Sequence, residues 1–549
     1  MNSLKPMLLS SLKSYDKSQF AKNVTAGIIV AIIALPLSIA LALASGVGPE
    51  AGIFTAIVAG FVISALGGSS VQIAGPTAAF ATIVAGIVAH DGMDGLIVAT
   101  ILAGIFLILM GLCHFGSLIK FIPFTITTGF TSGIAVTIVI GQLKDFFGLT
   151  YPIGVKPIET VEKFEAVINN FSTINMDAVI VGVVSLVILI IAPYIFKRIP
   201  GSLLSVITGI LMVQFLPLKV NTIGNLYTIS NALPTLHFPS LSLNMIQNAL
   251  PNALTIAVLA AIESLLSCVV ADGMINGKHR SDMELVAQGA GNIASALFGG
   301  IPATGAIART AANIKNGGRT PIAGMVHSIT LVIVLVVLMP YAGMIPMPTI
   351  AAILFIVAYN MCQWRTFVNL VKTAPKSDII VLVTSFVLTV IFDLVVAIEV
   401  GMVLACLLFI KRMSEETKVN GWTYVDDDTP DVDEHLQKLP LQIRVYEISG
   451  PLFFGAASVI EEIAVKDFTN CLVLRMRSVP ALDSTALNAL KDLVQVCESK
   501  GITIVFSHVN DQPMKVMEKA GFIELVGKEN FQPSISAALD RAEEIIHSK

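Results

Sequence analysis

Long uncharged runs constrain this chain more than any other feature of it. Between Ala26 and Ile410, apolar stretches of bilayer-crossing length recur, separated by polar connections that are mostly short. A spanning helix needs roughly 20 mostly apolar residues, because in hydrocarbon every backbone N–H and C=O must find its partner inside the segment. Runs of this kind begin near Thr25, Ala51, Gly95, Pro123, Ala178, Leu203, Ala253, Gly324, Ile379 and Val395. Three more segments are short or interrupted by Gly and Pro: Gln72 to Ala89, Leu285 to Gly300 and Pro302 to Ile314. Pro348 to Tyr359 is a further apolar segment, which brings the expected count to 14. The fold class that follows is an α-helical polytopic membrane protein.

Charge locates the end of this region. Charged residues make up 13% of the chain, against about 25% in soluble domains, and they thicken after Met413. The expected division is a cytoplasmic N-terminal arm at 1–23, a transmembrane domain at 24–412, a linker at 413–440 and a soluble domain at 441–549. A net charge of -4 gives no reason to expect a nucleic-acid partner. The arm lacks the short apolar stretch and cleavage site of a signal peptide, so the first run is expected to remain as a span.

Lys and Arg test the count, because they concentrate on cytoplasmic loops. Lys5, Lys13, Lys17 and Lys22 mark the arm; alternate loops then carry Lys120, Lys197 with Arg198, Lys278 with Arg280, and Lys315 with Arg319. The later ones carry Arg365, Lys372 and Lys376, then Lys411 and Arg412. The intervening loops Gly46 to Glu50, His90 to Asp94 and Tyr341 to Met347 have none. Lys144, Lys156, Lys163 and Lys219 fall in the long loops of that side. Dropping one span would invert the rest of the pattern. Both termini are therefore expected in the cytoplasm, with the protein in the inner membrane.

Fourteen spans divide into two sevens, and an odd number per half inverts the second relative to the first. The third segment of each half is unusual in the same way. One reads Gln72-Ile73-Ala74-Gly75-Pro76-Thr77-Ala78-Ala79-Phe80-Ala81-Thr82; the other reads Gly300-Ile301-Pro302-Ala303-Thr304-Gly305-Ala306-Ile307-Ala308-Arg309-Thr310. Pro cannot donate to a helix ladder, so each is expected to enter extended and turn helical afterwards. Matched broken segments in inverted halves point to a transporter's binding site. Two helix N-termini meeting near the midplane suit an anion, because each offers unpaired N–H groups and partial positive charge. Thr77 and Thr304 would add hydroxyl donors, and Ala78, Gly305 and Ala306 would let an anion approach the backbone. The plainer alternative is close helix packing by small residues.

Arg309 is the one Lys or Arg well inside an expected span. A buried membrane cation faces a cavity or a partner; alternatively it snorkels to the surface near Lys315. Glu263 is the matching carboxylate, with Ser267 at i+4 on the same helix face. It either carries a proton or cation or pairs structurally with Arg309. Asp272 is read as capping or solvated, and Asp393 as a turn residue. The cysteines Cys113, Cys268, Cys362, Cys406, Cys471 and Cys497 form no C-x-x-C pair or metal-spaced cluster. No phosphate-binding G-x-x-x-x-G-K-[ST] loop occurs. Neither catalytic residues, nor a metal site, nor a built-in ATPase is expected.

These residues are similar to those of the sulfate permease (SulP) family. The stretches that carry the resemblance are Ala34-Leu35-Pro36-Leu37-Ser38-Ile39-Ala40, Ser45 through Gly52, Gly67 through Thr77, Thr128 through Gly133, and Glu263 through Arg319. The resemblance implies 14 segments in two inverted seven-segment repeats, like uracil permease, with an elevator-like motion of a core domain against a gate domain and a homodimeric assembly. It places Thr77, Ala78, Ala79, Phe80, Ala308 and Arg309 around the anion. It sets Glu263 and Ser267 where bicarbonate-transporting relatives hold a sodium-binding Asp and hydroxyl. Many relatives carry Gln after the first-span Pro; Leu37 stands here and removes that polar contact. The Pro302 to Thr310 stretch looks most like the bacterial branch that includes a proton-coupled dicarboxylate transporter.

From Leu441 short strands alternate with helices: strands at Leu441 to Ile448, Cys471 to Met476 and Ile502 to Phe506, helices at Thr485 to Glu498, Gln512 to Ala520 and Ser534 to Ile546. This alternation implies a sheet with crossover helices and resembles a STAS domain. Leu482-Asp483-Ser484-Thr485-Ala486 matches the loop phosphorylated in anti-sigma factor antagonists, so Ser484 and Thr485 are candidate regulatory positions. The alternative is that Asp483 or Ser484 caps the next helix. Thr423 to Glu434, with Asp426-Asp427-Asp428, reads as a surface loop.

The expected function is secondary active transport of a small anion (sulfate, bicarbonate or a C4-dicarboxylate) with a proton or Na+ as coupling ion and no other cofactor. The rivals are an uncoupled anion channel or exchanger, and a membrane sensor signalling through a cytoplasmic partner of the soluble domain.

Overall fold

Why the membrane region bends where it does follows from a few glycines and prolines. The computed structural model describes residues 4–12, 16–117, 123–152, 157–196, 200–239, 242–392, 394–421, 440–463 and 468–548. Lys13, Lys120, Lys156, Lys197, Arg198, Asp393 and the Thr423 to Glu434 loop lie outside the described residues. The chain divides into two compact units, Met1–Met402 and Val403–Lys549.

The first unit opens with α1 (Met7–Ser11), α2 (Lys17–Ala44) and α3 (Pro49–Leu66). A two-residue strand β1 (Ala74–Gly75) and a 3₁₀ turn (Ala78–Phe80) lead into α4 (Ala81–Leu112). Then come α5 (Phe124–Phe147), α6 (Thr160–Asn169), α7 (Met176–Ile195), α8 (Gly201–Phe215) and the single turn α9 (Ile223–Leu226). α10 (Leu243–Ile275) and α11 (Ser281–Leu297) precede β2 (Thr304–Gly305) and α12 (Ile307–Lys315). α13 (Ile322–Ala342), α14 (Met347–Cys362), α15 (Trp364–Thr373) and α16 (Lys376–Ile391) follow, and α17 (Leu394–Glu415) begins in this unit and ends in the second. Among the described residues, eight helices are long and apolar enough to cross a membrane: α2, α3, α4, α5, α7, α10, α13, and the Met347–Thr373 run of α14 with α15.

His90 to Asp94, expected as a loop between two spans, is a sharp kink at Gly92 where two helices join to make α4. Gly92 there adopts φ 69° and ψ -169°, a region that costs a residue with a Cβ far more. Small residues set the closest helix approaches. A Cβ on Gly104 of α4 would lie 2.7 Å from the carbonyl oxygen of Gly289 on α11, so the two backbones touch. Outward faces are apolar: on α7, Ile180, Val183, Val187 and Ile190 are all exposed at helical spacing, the surface a lipid-facing helix presents.

The second unit holds a five-stranded sheet in the order β3 (Lys418–Gly421), β4 (Ile443–Ser449), β5 (Cys471–Ser478), β6 (Thr503–Ser507), β7 (Phe531–Gln532). β4 to β7 pair in parallel, and β3 joins β4 antiparallel at the edge. Parallel neighbours require crossover helices. α18 (Ser484–Ser499), α19 (Asp511–Lys519) and α20 (Phe522–Val526) contribute to one apolar cluster, and α21 (Ile535–Ser548) to the other. β3 falls inside the stretch expected as linker; its four residues carry no strand-length apolar run, and pairing with β4 orders them.

Candidate functional site

The two broken segments meet. β1 and β2 pair antiparallel, with Ala74 opposite Gly305 and Gly75 opposite Thr304. The Ala306 N–H adds a bond to the Ile73 carbonyl at 2.9 Å. Because the pairing is antiparallel, the chain leaves the crossing in opposite directions, into the 3₁₀ turn and α4 on one side and into α12 on the other. Both helix starts therefore sit at the crossing. Neither has a side-chain cap: Thr77 and Ala306 occupy the N-cap positions without capping bonds. The first N–H groups of a helix have no partner within it, so both ends present donors and positive potential at one place.

Arg309 ties the ends together. It is 1% exposed, so it does not snorkel. Its Nη2 donates to the Pro76 carbonyl at 3.2 Å and to Ser38 Oγ at 3.3 Å. Nε and Nη1 have no hydrogen-bond partner among the described residues. Gly75 makes room for this, since a Cβ there would collide with Nη1. A buried guanidinium with unused donors is costly unless a ligand meets them.

Glu263, on α10, is half-buried and accepts from Thr77 Oγ1 at 2.9 Å. The alternative ion pair of Glu263 with Arg309 is not among the salt bridges of the described residues. Instead Glu263 binds the hydroxyl at one helix start, while Arg309 crosses from the other. Ser267 Oγ donates to Thr310 Oγ1 at 3.4 Å, one turn from Glu263. Its hydroxyl thus faces α12 and not the carboxylate.

Thr304 departs from the expected symmetry. It lies in β2, not at a helix start, and its hydroxyl donates to the Ala260 carbonyl at 3.0 Å. The residue at the start of α12 that corresponds in place to Thr77 is Ala306. Gly305 is buried in the strand pair; Ala78 is nearly buried, Ala79 and Phe80 fully so. Ala308 is exposed and Ala306 half-exposed. The accessible side of the crossing is thus the start of α12 together with Thr77.

Behind it stands a polar scaffold that sequence reading missed. Glu284 on α11 is fully buried and accepts from the Gly68 N–H at 2.9 Å, the Ser69 N–H at 3.2 Å, and Nε2 of Gln72 and Gln288 at 2.9 Å each. Asn292 exchanges bonds with Ala303, at 2.9 Å to its carbonyl and 2.8 Å from its N–H. Thr310 Oγ1 accepts from the Ile73 N–H at 3.1 Å, and Asn313 donates to the Val71 carbonyl at 2.8 Å. These bonds satisfy backbone that no helix or sheet would, and they fix both helix starts. Glu284 escaped notice because an acid in a helix's first turn is the ordinary complement to its dipole.

In the second unit, Asp483 caps α18 by accepting from the Ala486 N–H at 2.9 Å, and it also accepts from the Phe454 N–H at 2.8 Å. Ser484 and Thr485 are exposed beside it.

Comparison with known proteins bears on this geometry. Residues 20–385 match the sulfate permease family and residues 437–538 the STAS domain. Putative sulfate transporter YvdB of Bacillus subtilis is 38% identical over 530 residues, covering 94% of this chain and 97% of its own. Bicarbonate transporter BicA of Picosynechococcus sp. is 30% identical over 538 residues, covering 95% and 94%. Among solved structures, murine Solute Carrier 26 family member A9 shares the fold with a TM-score of 0.87 over 98% of this chain and 94% of its own, at 20% identity. The transmembrane domain of a cyanobacterial BicA aligns with a TM-score of 0.62 at 28% identity, covering 71% of this chain and 98% of its own.

Proposed function

The chain belongs to the sulfate permease family, and from that premise we propose that it is a secondary active transporter binding a small oxyanion or carboxylate at the β1–β2 crossing. The observation that carries this reading is the pairing of Gly75 with Thr304, which brings two uncapped helix starts and a buried guanidinium with unused donors to one point. Backbone N–H groups of Ile307 and Ala308 at the accessible start of α12, with that of Ala78 at the other helix start, would hold the anion, with Arg309 as its fixed counter-charge. Sulfate and bicarbonate, the anions named for the relatives, both suit such a site, as does a C4-dicarboxylate.

Coupling follows from Glu263. An ionised carboxylate bonded to Thr77 stands beside the anion site and repels the anion; a proton or Na+ that neutralises it favours binding. By linkage, anion binding then favours uptake of that cation to the same extent. Ser267, a turn away, supports the other side of α12.

The membrane arrangement belongs to the same proposal. Fourteen segments arise if α8, α11, α12, α16 and α17 join the eight long helices and α4 is counted on both sides of Gly92. They form two inverted sevens within 24–412, with a homodimer, an elevator-like motion and both termini in the cytoplasm. The STAS domain would span 441–549 and meet a cytoplasmic partner.

Purified protein in liposomes, given labelled sulfate, bicarbonate or succinate under imposed proton or sodium gradients, tests the reading. Uphill uptake of at least one anion is expected, and Glu263→Gln should abolish accumulation while leaving anion-for-anion exchange. Flux that never runs uphill would mean a channel or exchanger, and no flux with any of the three would favour a sensor.

A further inference from the structure

Away from the anion site, α5 and α14 enclose an apolar groove of about 510 Å³. Ala135, Val136, Val139 and Ile140 line one wall; Phe355, Ala358, Tyr359 and Cys362 line the other; Trp364 stands at one end. On α14 these are positions i, i+3, i+4 and i+7, one continuous face. From Phe355 to Cys362 the wall rises roughly 10 Å at 1.5 Å per residue, against about 15 Å for one leaflet's hydrocarbon. The groove therefore has the composition and length of a slot for one acyl chain.

Its mouth is built for the other end of a lipid. Trp364 Nε1 donates to the Tyr359 hydroxyl at 3.2 Å, and both side chains are exposed, the placement of interfacial aromatics. The Arg365 guanidinium lies 5.5 Å from the Trp364 ring centre. α15 then runs ten residues with none buried. Arg365, Asn369 and Lys372 share one of its faces, while Trp364, Val368 and Val371 share another. That is the pattern of a helix lying in the membrane interface. Two cations on one face of the helix that begins at this end of the apolar slot complement an anionic headgroup.

We propose that this groove holds an acyl chain of an anionic phospholipid whose headgroup phosphate rests on Arg365 and Lys372. The site is separate from the β1–β2 crossing, so the proposal stands whether or not that crossing binds an anion.

The experiment uses the full chain in detergent, with added phosphatidylglycerol, phosphatidylcholine or inorganic phosphate, read by thermal midpoint and by mass spectrometry of retained lipid. Phosphatidylglycerol should be retained and should raise the midpoint more than phosphatidylcholine; inorganic phosphate should do neither. Each basic residue near an anionic headgroup is worth roughly fivefold in affinity, so the double substitution Arg365→Gln with Lys372→Gln should weaken phosphatidylglycerol roughly thirtyfold and remove the preference. Filling the slot with Ala358→Trp, or with Val139→Phe should the first misfold, should abolish retention of both lipids. Equal effects of the two lipids on the unaltered protein, or stabilisation by inorganic phosphate alone, would overturn the proposal. A filled groove that turns a dimer into a monomer would also overturn it, by showing a second copy as the occupant.

Discussion

The two broken segments occupy equivalent places and do unequal work. The first reaches its helix through Pro76, Thr77 and a 3₁₀ turn and then continues through the long α4; its polar side chain at the crossing, Thr77, is bonded to Glu263. The second runs straight from β2 into the nine-residue α12 and contributes Arg309, while its own threonine, Thr304, is buried in a bond to backbone. The backbone thus keeps the repeat's symmetry and the side chains abandon it. One half offers a carboxylate-linked hydroxyl, the other a fixed cation. That division suits the proposed transport cycle, in which one half would recognise the anion and the other register a coupling cation.

Removing the cation breaks the comparison hardest. Arg309→Ala should cost about 2–5 kcal/mol of anion binding, the scale for stranding one side of a buried charged contact. Titration of purified protein by calorimetry reads this directly, and a folded variant of unchanged affinity would refute the role.

The paired glycines sharpen the contrast at a smaller scale. A Cβ at Gly75 would strike the end of Arg309, whereas one at Gly305 would strike the Gln72 amide that serves Glu284. Overpacking of this kind costs about 1–3 kcal/mol. Gly75→Ala should spend that on anion affinity, because a flexible guanidinium moves aside. Gly305→Ala should spend it on thermal stability, because the buried amide network cannot. If both variants lost stability and kept affinity, Arg309 would not be poised at the site.

The threonines give the smallest expected effects. Thr77→Val should cost about 0.5–1.5 kcal/mol of binding, the scale of one hydrogen bond, and should alter coupling through Glu263. Thr304→Val should leave affinity alone and lower the melting temperature by removing the buried hydrogen bond that ties β2 to the Ala260 carbonyl of α10. Abolished binding in Thr77→Val, with normal binding in Ala306→Phe, would replace the helix-start site by one built from side chains.

Much of this was legible in the sequence, for local reasons. Segment length and missing charge fix what can cross a bilayer. The Gly-Pro-Thr and Thr-Gly-Ala interruptions mark where helices break. Arg309 stands out because a cation amid apolar residues is costly whatever surrounds it. Strand and helix alternation after Leu441 likewise needs nothing beyond period and turn residues. What depended on tertiary structure involves partners distant in the chain. Gly75 meets Thr304, Gln72 meets Glu284, and Thr77 meets Glu263, 186 residues apart. No periodicity encodes such pairings, so Glu284 reads as an ordinary first-turn acid and Thr304 as the twin of Thr77. Packing decides otherwise: a buried hydroxyl with a helix carbonyl in reach is consumed there, and a carboxylate surrounded by backbone N–H groups becomes scaffold, because buried polar groups must be paired.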